Sequence, residues 1–368
     1  MTRATLGISA SLFAANMAVK QNAHDFALKY PLAFNAVNES FYVDDGLSGA
    51  DSVEEAVEMR TQLQDLFAEA GFLLHRWNSS EPAVLEHLSP DLLDTQSNHV
   101  IPGPDEYTKI LGIAWNAHHD HFRLTVPIYP HLKVSPSMPS LQTLYEPLTH
   151  WGGFSPSIIK AEILLQRLLE QKIDWDEAVP EPIRDTWSQW RSELSMLTNN
   201  LIPGCYFPKE AKIASTHLYG FSDASGLAYA GVIYLPMCDS EGNLHVSLVA
   251  SKTKVAPIKH LTIPRLELCG AHLLAQLLHY VREALHVHPQ DVHAWIDSTI
   301  VISWLDGNPR RFKTYVGNRV ASIIKLIAPN QWKHVNGTQN PADCASRGLF
   351  PSELLQHSLW WNGPPWLC

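Results

Sequence analysis

The feature that most constrains this chain is a change of hydrophobic period at Thr216. From there three strand-like segments follow in succession, at about 217–222, 227–235 and 244–251, with Asp239-Ser240-Glu241-Gly242-Asn243 as the turn between the last two. A long helical pattern then opens after Pro264 and carries Leu266, Leu268, Leu273, Leu274, Leu277 and Val281. A strand at 292–296, helices at about 300–305 and 312–327, a strand at 331–335 and a short helix from Pro341 complete the pattern. The order βββαβααβα predicts an α/β (α+β) unit, a mixed sheet with flanking helices.

Acidic residues fall at the ends of these elements. Asp223 closes the first strand in Phe221-Ser222-Asp223, Asp297 closes an apolar strand in Trp295-Ile296-Asp297, Glu267 is expected in the first turn of the long helix, and Asp343 opens the last helix. Strand C-termini and adjoining helix N-termini converge on one rim of a mixed sheet, so the four carboxylates are expected to face one another. Such crowding is unfavourable unless divalent cations neutralise it, and hard oxygen ligands suit Mg²⁺ or Mn²⁺. Two such ions about 3.5–4 Å apart form the clamp used in phosphodiester cleavage. The plainer alternative is that Asp223 and Asp297 terminate strands while Glu267 and Asp343 favour helix N-termini through the macrodipole.

Net charge of −10 argues against a nucleic-acid partner only until it is divided. From Thr216 onward there are 12 Lys+Arg and 10 Asp+Glu, against 15 and 27 before it, so the acidity belongs to the first part. The five cysteines (Cys205, Cys238, Cys269, Cys344, Cys368) show no CxxC spacing and are expected to be reduced thiols. No apolar run approaches the roughly 18 residues of a membrane helix, and the N-terminus lacks an apolar signal region, so the expectation is a soluble intracellular chain, cytoplasmic or nuclear, with no membrane partner.

The strings Phe-Ser-Asp-Ala-Ser at 221–225, Ile-Pro-Arg-Leu-Glu-Leu at 263–268, Ile-Asp-Ser at 296–298 and Asn-Pro-Ala-Asp-Cys-Ala-Ser-Arg-Gly at 340–348 resemble the ribonuclease H domain of BEL/Pao-type LTR retrotransposon polyproteins. The resemblance runs on through Trp360-Trp361-Asn362-Gly363-Pro364-Pro365-Trp366-Leu367. It implies that Asp223, Glu267, Asp297 and Asp343 bind two Mg²⁺ ions and cut the RNA strand of an RNA–DNA hybrid. It also implies an auxiliary role for His334, nine residues before Asp343, although its strand pattern suits an ordinary strand histidine equally well.

The first part resembles the reverse transcriptase of the same polyproteins. Tyr42-Val43-Asp44-Asp45 matches the catalytic hairpin, which makes Asp44 the principal polymerase metal ligand with Asp45 beside it; the 6–13 segment and Ile110-Leu111-Gly112 match the nucleotide-contacting and primer-gripping segments. A further metal-binding Asp of that family lies upstream of the 6–13 segment. The chain begins too late to contain it, so no DNA synthesis by this chain alone is expected. The pattern also predicts helices at 9–30 and from Ser52 to Gly71, a strand at 72–77 and a hairpin at 110–126.

Residues 144–176 resemble the region once labelled a Pao peptidase, but no Asp-Thr/Ser-Gly tripeptide occurs, so the segment is read as a thumb and connection. The expected division is 1–126 partial reverse transcriptase palm and thumb, 127–215 helical connection, 216–350 ribonuclease H-like domain and 351–368 tail. His118, His119 and His121 lie in the turn of the second hairpin and are read as a solvated turn rather than a zinc site.

Hybrid binding needs phosphate contacts, for which Lys252, Lys254, Lys259, Arg265, Arg310, Arg311, Lys313 and Arg319 are the candidates, with scattered solubilising charge as the alternative. Trp295 and Trp304 are expected in the core. The implied partners are an RNA–DNA hybrid or other nucleic acid, together with upstream polymerase and downstream integrase parts of a polyprotein. The competing reading is a degenerate or domesticated transposon remnant that binds nucleic acid without catalysis.

Overall fold

The computed structural model describes residues 11–42, 45–94, 106–110, 113–124, 152–172, 179–206 and 213–367. The chain divides into two compact units at Arg123 and Leu124. The Leu6–Ala10 stretch, Asp44, Leu111-Gly112 and the proline-rich 127–150 segment lie outside the described residues.

The first unit opens with the helix Ser11–Asp25, followed by a separate helix Pro31–Glu39. The single helix expected over 9–30 is therefore broken. Pro31 disfavours a helical residue before it, and Tyr30 at φ −129, ψ 65 becomes the N-cap of a new helix. Helix Val53–Glu69 begins where the Ser52 side chain accepts from the Glu55 amide, and Gly71 at φ +72 ends the run. Leu63, Leu66 and Phe67 of this helix pack against Ala23, Tyr30, Ala33 and Val37. The strand expected at 72–77 does not form. Arg76 takes φ +59, which interrupts an extended chain, and only a single bridge from Trp77 to Leu93 remains. The second hairpin has strands Ile113–Asn116 and His121–Leu124, with Thr108–Ile110 paired to the first.

In the second unit the main sheet is built from β1 (Ile213–Thr216), β2 (Leu218–Ala224), β3 (Ala228–Asp239), β4 (Leu244–Val255), β5 (Val292–Ile296) and β6 (Trp332–His334). Its helices are α1 (Ser155–Glu170), α2 (Glu181–Leu197), α3 (Ile263–Ala284), α4 (Thr299–Asp306), α5 (Thr314–Leu326), α6 (Ala342–Arg347), α7 (Pro351–Leu355) and α8 (Ser358–Asn362). Strand order is β4-β3-β2-β5-β6, with β1 also pairing β3. The β2, β3 and β4 meander is antiparallel, while β2, β5 and β6 run parallel. Parallel neighbours need a long crossover, which α3 supplies between β4 and β5.

Side chains alternate across the sheet and divide the core in two. On one face Leu218, Ile233, Leu235, Val292, Ala294 and Ile296 meet Leu274 and Leu278 of α3 and Val320 and Ile323 of α5. Gly231 makes the approach possible: a Cβ there would stand 3.2 Å from the Leu274 Cα. On the other face Phe221, Val232 and Tyr234 meet Ile158 and Leu164 of α1, Trp187 and Trp190 of α2, and Trp360 of α8. The two α2 tryptophans stack with centroids 4.9 Å apart, and Trp190 Nε1 donates to the Ser157 carbonyl at 2.9 Å. The α1 and α2 helices thus share the core of the sheet. Among the described residues no helix is long and apolar enough to cross a membrane.

Residues 351–367 fold back as α7, α8 and a closing turn. Trp360 is fully buried, its Nε1 donates to the Gly153 carbonyl at 2.8 Å, and its own carbonyl accepts from the Tyr234 hydroxyl at 2.6 Å. Replacing Trp360 by Ala is expected to cost about 3–5 kcal/mol in urea unfolding. A loss under about 1 kcal/mol would show that the closing segment is dispensable to this core.

Candidate functional site

The site stands where β2 and β5 end side by side. Parallel pairing sets Ser222 opposite Ile296, so Asp223 and Asp297, each the next residue along, emerge together at the rim. Asp223 is almost fully buried, and Asp297 is half-buried. Glu267 reaches the same rim from α3. That helix begins at Ile263, before Pro264, so Glu267 falls just beyond the first turn rather than in it. Its position therefore owes little to the helix macrodipole, whose influence fades within that turn. Asp343 does lie in the first turn of α6, and α6 is tied to β2 because Asn340 Nδ2 donates to the Ser222 carbonyl at 2.9 Å while its Oδ1 caps Ala342 N at 3.1 Å.

The acids feel one another. Burial pushes Asp223 up to about 6, with Asp297 and Asp343 adding to the rise and a hydrogen bond from Ser346 opposing it. Glu267 is raised by burial, against a hydrogen bond from Ser298, with Asp223 adding to the rise. Asp297 is raised by burial and then by Glu267, with Asp343 contributing and His334 acting in the other direction. All four predicted carboxylates therefore belong to one electrostatic cluster. His334 joins its edge: it ends β6 opposite Ile296 and is exposed.

Three of the acids already have a side-chain partner, and only one carboxylate oxygen of the four is buried and unpaired. Asp223 accepts from Ser346 Oγ, Glu267 accepts from Ser298 Oγ, and Asp343 pairs with Arg347 Nε at 2.8 Å. That oxygen is Asp297 Oδ1, which is buried without any hydrogen bond. With the side chains placed this way, no group of three or more His, Cys, Asp or Glu among the described residues is set to hold a metal ion. The donor set nevertheless fits a hard divalent cation: carboxylate oxygens, raised pKa values that a cation would reverse, and an orphaned buried oxygen that needs a positive partner.

Ser298, Ser346, Arg347 and Asn340 are contributors that the sequence reading did not single out. All four lie in the quoted strings, and the i,i+4 spacing of Asp343 and Arg347 on a helix is a signal that could have found that pair.

Of the eight basic candidates the structure gathers three. The Arg319 and Arg265 guanidiniums lie 3.8 and 5.4 Å from the Tyr315 ring centroid, and Arg319 and Lys254 both hold down the pKa of half-buried His272 after burial itself. Lys252, Lys259, Arg310, Arg311 and Lys313 are exposed on β4, the loop after it and the approach to α5. None of the eight is ion-paired to a carboxylate among the described residues. Trp295 is buried and Trp304 partly so.

In the first unit Tyr42 pairs across a two-residue ladder with Asp45, and both are exposed. His118, His119 and His121 have successive ring centroids 4.6 and 5.8 Å apart, and His121 Nε2 hydrogen-bonds the Tyr107 hydroxyl at 3.0 Å.

Residues 138–298 match the family described as the Pao retrotransposon-like RNaseH-like domain. The matched stretch includes Asp223, Glu267 and Asp297, takes in α1 and α2, and ends before Asp343. Comparison with curated proteins finds no match. Among solved structures, the foamy viral protease-reverse transcriptase in complex with dsDNA is similar at 14% identity and a TM-score of 0.49, over 90% of this chain and 59% of that one. The N-terminal RNase H domain of a Mycobacterium tuberculosis protein, solved as a fusion with maltose binding protein, is similar at 12% identity and a TM-score of 0.24, over 39% of this chain and 99% of that one. LC11-RNase H1 in complex with an RNA/DNA hybrid is similar at 15% identity and a TM-score of 0.27, over 38% of this chain and 99% of that one. This chain spans 59% of the length of the foamy viral chain.

The raised Asp223 pKa carries a stability signature. A carboxyl with a native pKa near 6 and an ordinary value of 3.8 stabilises the fold most below the ordinary value, and that contribution is lost as pH rises through 6. In EDTA buffer, Asp223→Asn is therefore expected to match wild type at pH 4 and to exceed it at pH 7, by an amount on the order of 2 kcal/mol in urea unfolding. A difference that does not change with pH would contradict the shift.

Proposed function

We propose that the second unit is a ribonuclease H, which cuts the RNA strand of RNA–DNA hybrids internally and depends on Mg²⁺ or Mn²⁺. The observation that carries this reading is the gathering of Asp223, Glu267, Asp297 and Asp343 at the joint of β2 and β5, with Asp297 Oδ1 buried and unpaired. We read the first unit, with Tyr42, Asp44 and Asp45, as a remnant of the reverse transcriptase of the same Pao-type polyprotein, with upstream polymerase and downstream integrase parts as its natural partners.

Asp223, Glu267, Asp297 and Asp343 would hold the two cations. Bound there, the ions would activate water and stabilise the leaving oxygen of the phosphodiester. The chain's own groups prepare that site. Ser346 and Ser298 orient Asp223 and Glu267 from behind, so that neither carboxylate has to search rotamers. Asn340 locks α6 onto the end of β2 and so fixes the place of Asp343. Arg347 holds Asp343 by an exposed i,i+4 pair, a weak tether that can release the carboxylate. His334, exposed and paired across the ladder with Ile296 beside Asp297, would be the auxiliary group of the site.

The substrate would be gripped by charge. Arg265 and Arg319 beside Tyr315, with Lys254 and Arg319 both acting on His272, would form a phosphate-binding cluster, and Lys252, Lys259, Arg310, Arg311 and Lys313 would extend the positive surface. Such contacts give salt-sensitive affinity without base specificity, while 2′-hydroxyl contacts would choose the RNA strand.

Purified chain with a labelled 20-base hybrid and Mg²⁺ is expected to yield internal RNA fragments, and Asp297→Asn to lower the rate by at least about 100-fold. No cleavage by wild type, or equal cleavage by the variant, would leave the reading of a remnant that binds without catalysis. A second check bears on the grip: Arg319→Ala is expected to raise KM several-fold with little change in kcat and to lower the salt slope by about one. An unchanged salt slope would remove Arg319 from the phosphate contacts.

A further inference from the structure

The alternation that brings Asp223 and Asp297 to the rim also lines up a row of rings below them. Tyr219, Phe221 and Asp223 share one face of β2, and His293, Trp295 and Asp297 share the same face of β5, with Tyr219 paired to His293 and Phe221 to Trp295. The rings form a continuous run. Centroids lie 5.4 Å apart for Tyr219 and His293, 4.7 Å for Tyr219 and Trp295, 5.3 Å for Phe221 and Trp295, and 5.4 Å for Trp295 and Trp366. Phe221 and Trp295 are the buried backing, Tyr219 and His293 are partly buried, with Tyr219 packed against the core, and Trp366 is 41% exposed. From the neighbouring β6, the exposed Lys333 sets its Nζ 5.5 Å from the Trp295 ring.

We propose that the edge of this ring row is a stacking platform for an unpaired nucleic-acid strand running on from the carboxylate rim, with the accessible parts of Tyr219, His293 and Trp366 as its ring surfaces and Lys333 as its phosphate contact. The proposal rests on the nucleic-acid reading above and extends it to a second binding surface.

Three observations favour a single strand as the occupant. First, flat aromatic surface rewards exposed base faces, which a duplex keeps inside its own stack. Second, the charge is complementary to a polyanion: Lys333 makes no ion pair with a carboxylate among the described residues, and Asp291 at the lower end faces His217 at 3.7 Å. Burial, then Lys333 and His217, lower the pKa of His293 against an opposing pull from Asp291, which favours the neutral ring. Third, the platform is continuous with the carboxylate rim. It covers about 13 Å from His293 to Asp297, room for a few nucleotides. At its far end it opens on a cavity of about 410 Å³ lined by His217, His288 and Asp291 among others, within the size range of small-ligand pockets.

The test is fluorescence anisotropy of the full chain with labelled 15-base single strands of DNA and RNA in EDTA, beside cleavage of a blunt hybrid in Mg²⁺. Tyr219→Leu with His293→Leu is expected to weaken both single strands about tenfold or more, while blunt-hybrid cleavage stays within about twofold. Exposed Lys333→Glu, which leaves the core untouched, is expected to weaken them several-fold and to lower the salt slope by about one, so the test survives misfolding of the double variant. Single-strand affinity unchanged in Lys333→Glu and in a folded double variant overturns the platform, even if the hybrid is cut. Ring-dependent single-strand binding without hybrid cleavage upholds the platform and removes only the nuclease reading.

Discussion

The cost of burying carboxylates close to one another is the constraint on which this architecture turns. Burial first, and then the neighbouring acids, raise the pKa of Asp223, Glu267 and Asp297 at the rim, and Asp297 Oδ1 is left without a partner. A fold keeps such an arrangement only if the surrounding structure holds it in place. Here the holding is done by the parallel register of β2 and β5, by α3 packed closely over Gly231, and by Asn340 fastening α6 to the end of β2. The hydrogen bonds from Ser298 and Ser346 offset part of the cost of burial. What remains is a local concentration of negative charge that a divalent cation would relieve.

Much of this was legible in the sequence, and for identifiable reasons. The strand at 292–296 and the long helix read well because their periodicities are strong and their ends carry Pro, Asp or polar caps. That Asp223 and Asp297 would emerge at neighbouring strand ends could be read because each closes a largely apolar strand. The misreadings have local causes. Pro31 divides the first helix, the left-handed Arg76 cancels an alternating strand, and the start of α3 at Ile263 moves Glu267 out of the first turn. Ser298 and Ser346 were not legible as partners, because a serine's role depends on what tertiary folding brings to it. Pairing of Ser346 with Asp223, 123 residues away, has no signature in local spacing.

The aromatic run shows a different limit. Trp295 was expected in the core and is buried there, but its neighbours Tyr219 and His293 come from two strands far apart in sequence, and Trp366 comes from the closing turn. Only the β2–β5 register reveals them as one surface. The closing segment, expected as a tail at 351–368, brings Trp360 into the core between Tyr234 and Gly153. In both cases large side chains gain meaning from the tertiary neighbours they meet rather than from their place along the chain.

The central claim is that the carboxylate rim is a divalent-cation site, and titration of the purified chain with Mn²⁺, followed by loss of the free-ion electron paramagnetic resonance signal, tests it most directly. The account predicts saturable binding approaching two ions per chain, competed by Mg²⁺, with Asp297→Asn removing most of it while the fold stays intact. Binding absent from wild type, or the same in wild type and Asp297→Asn, would contradict it.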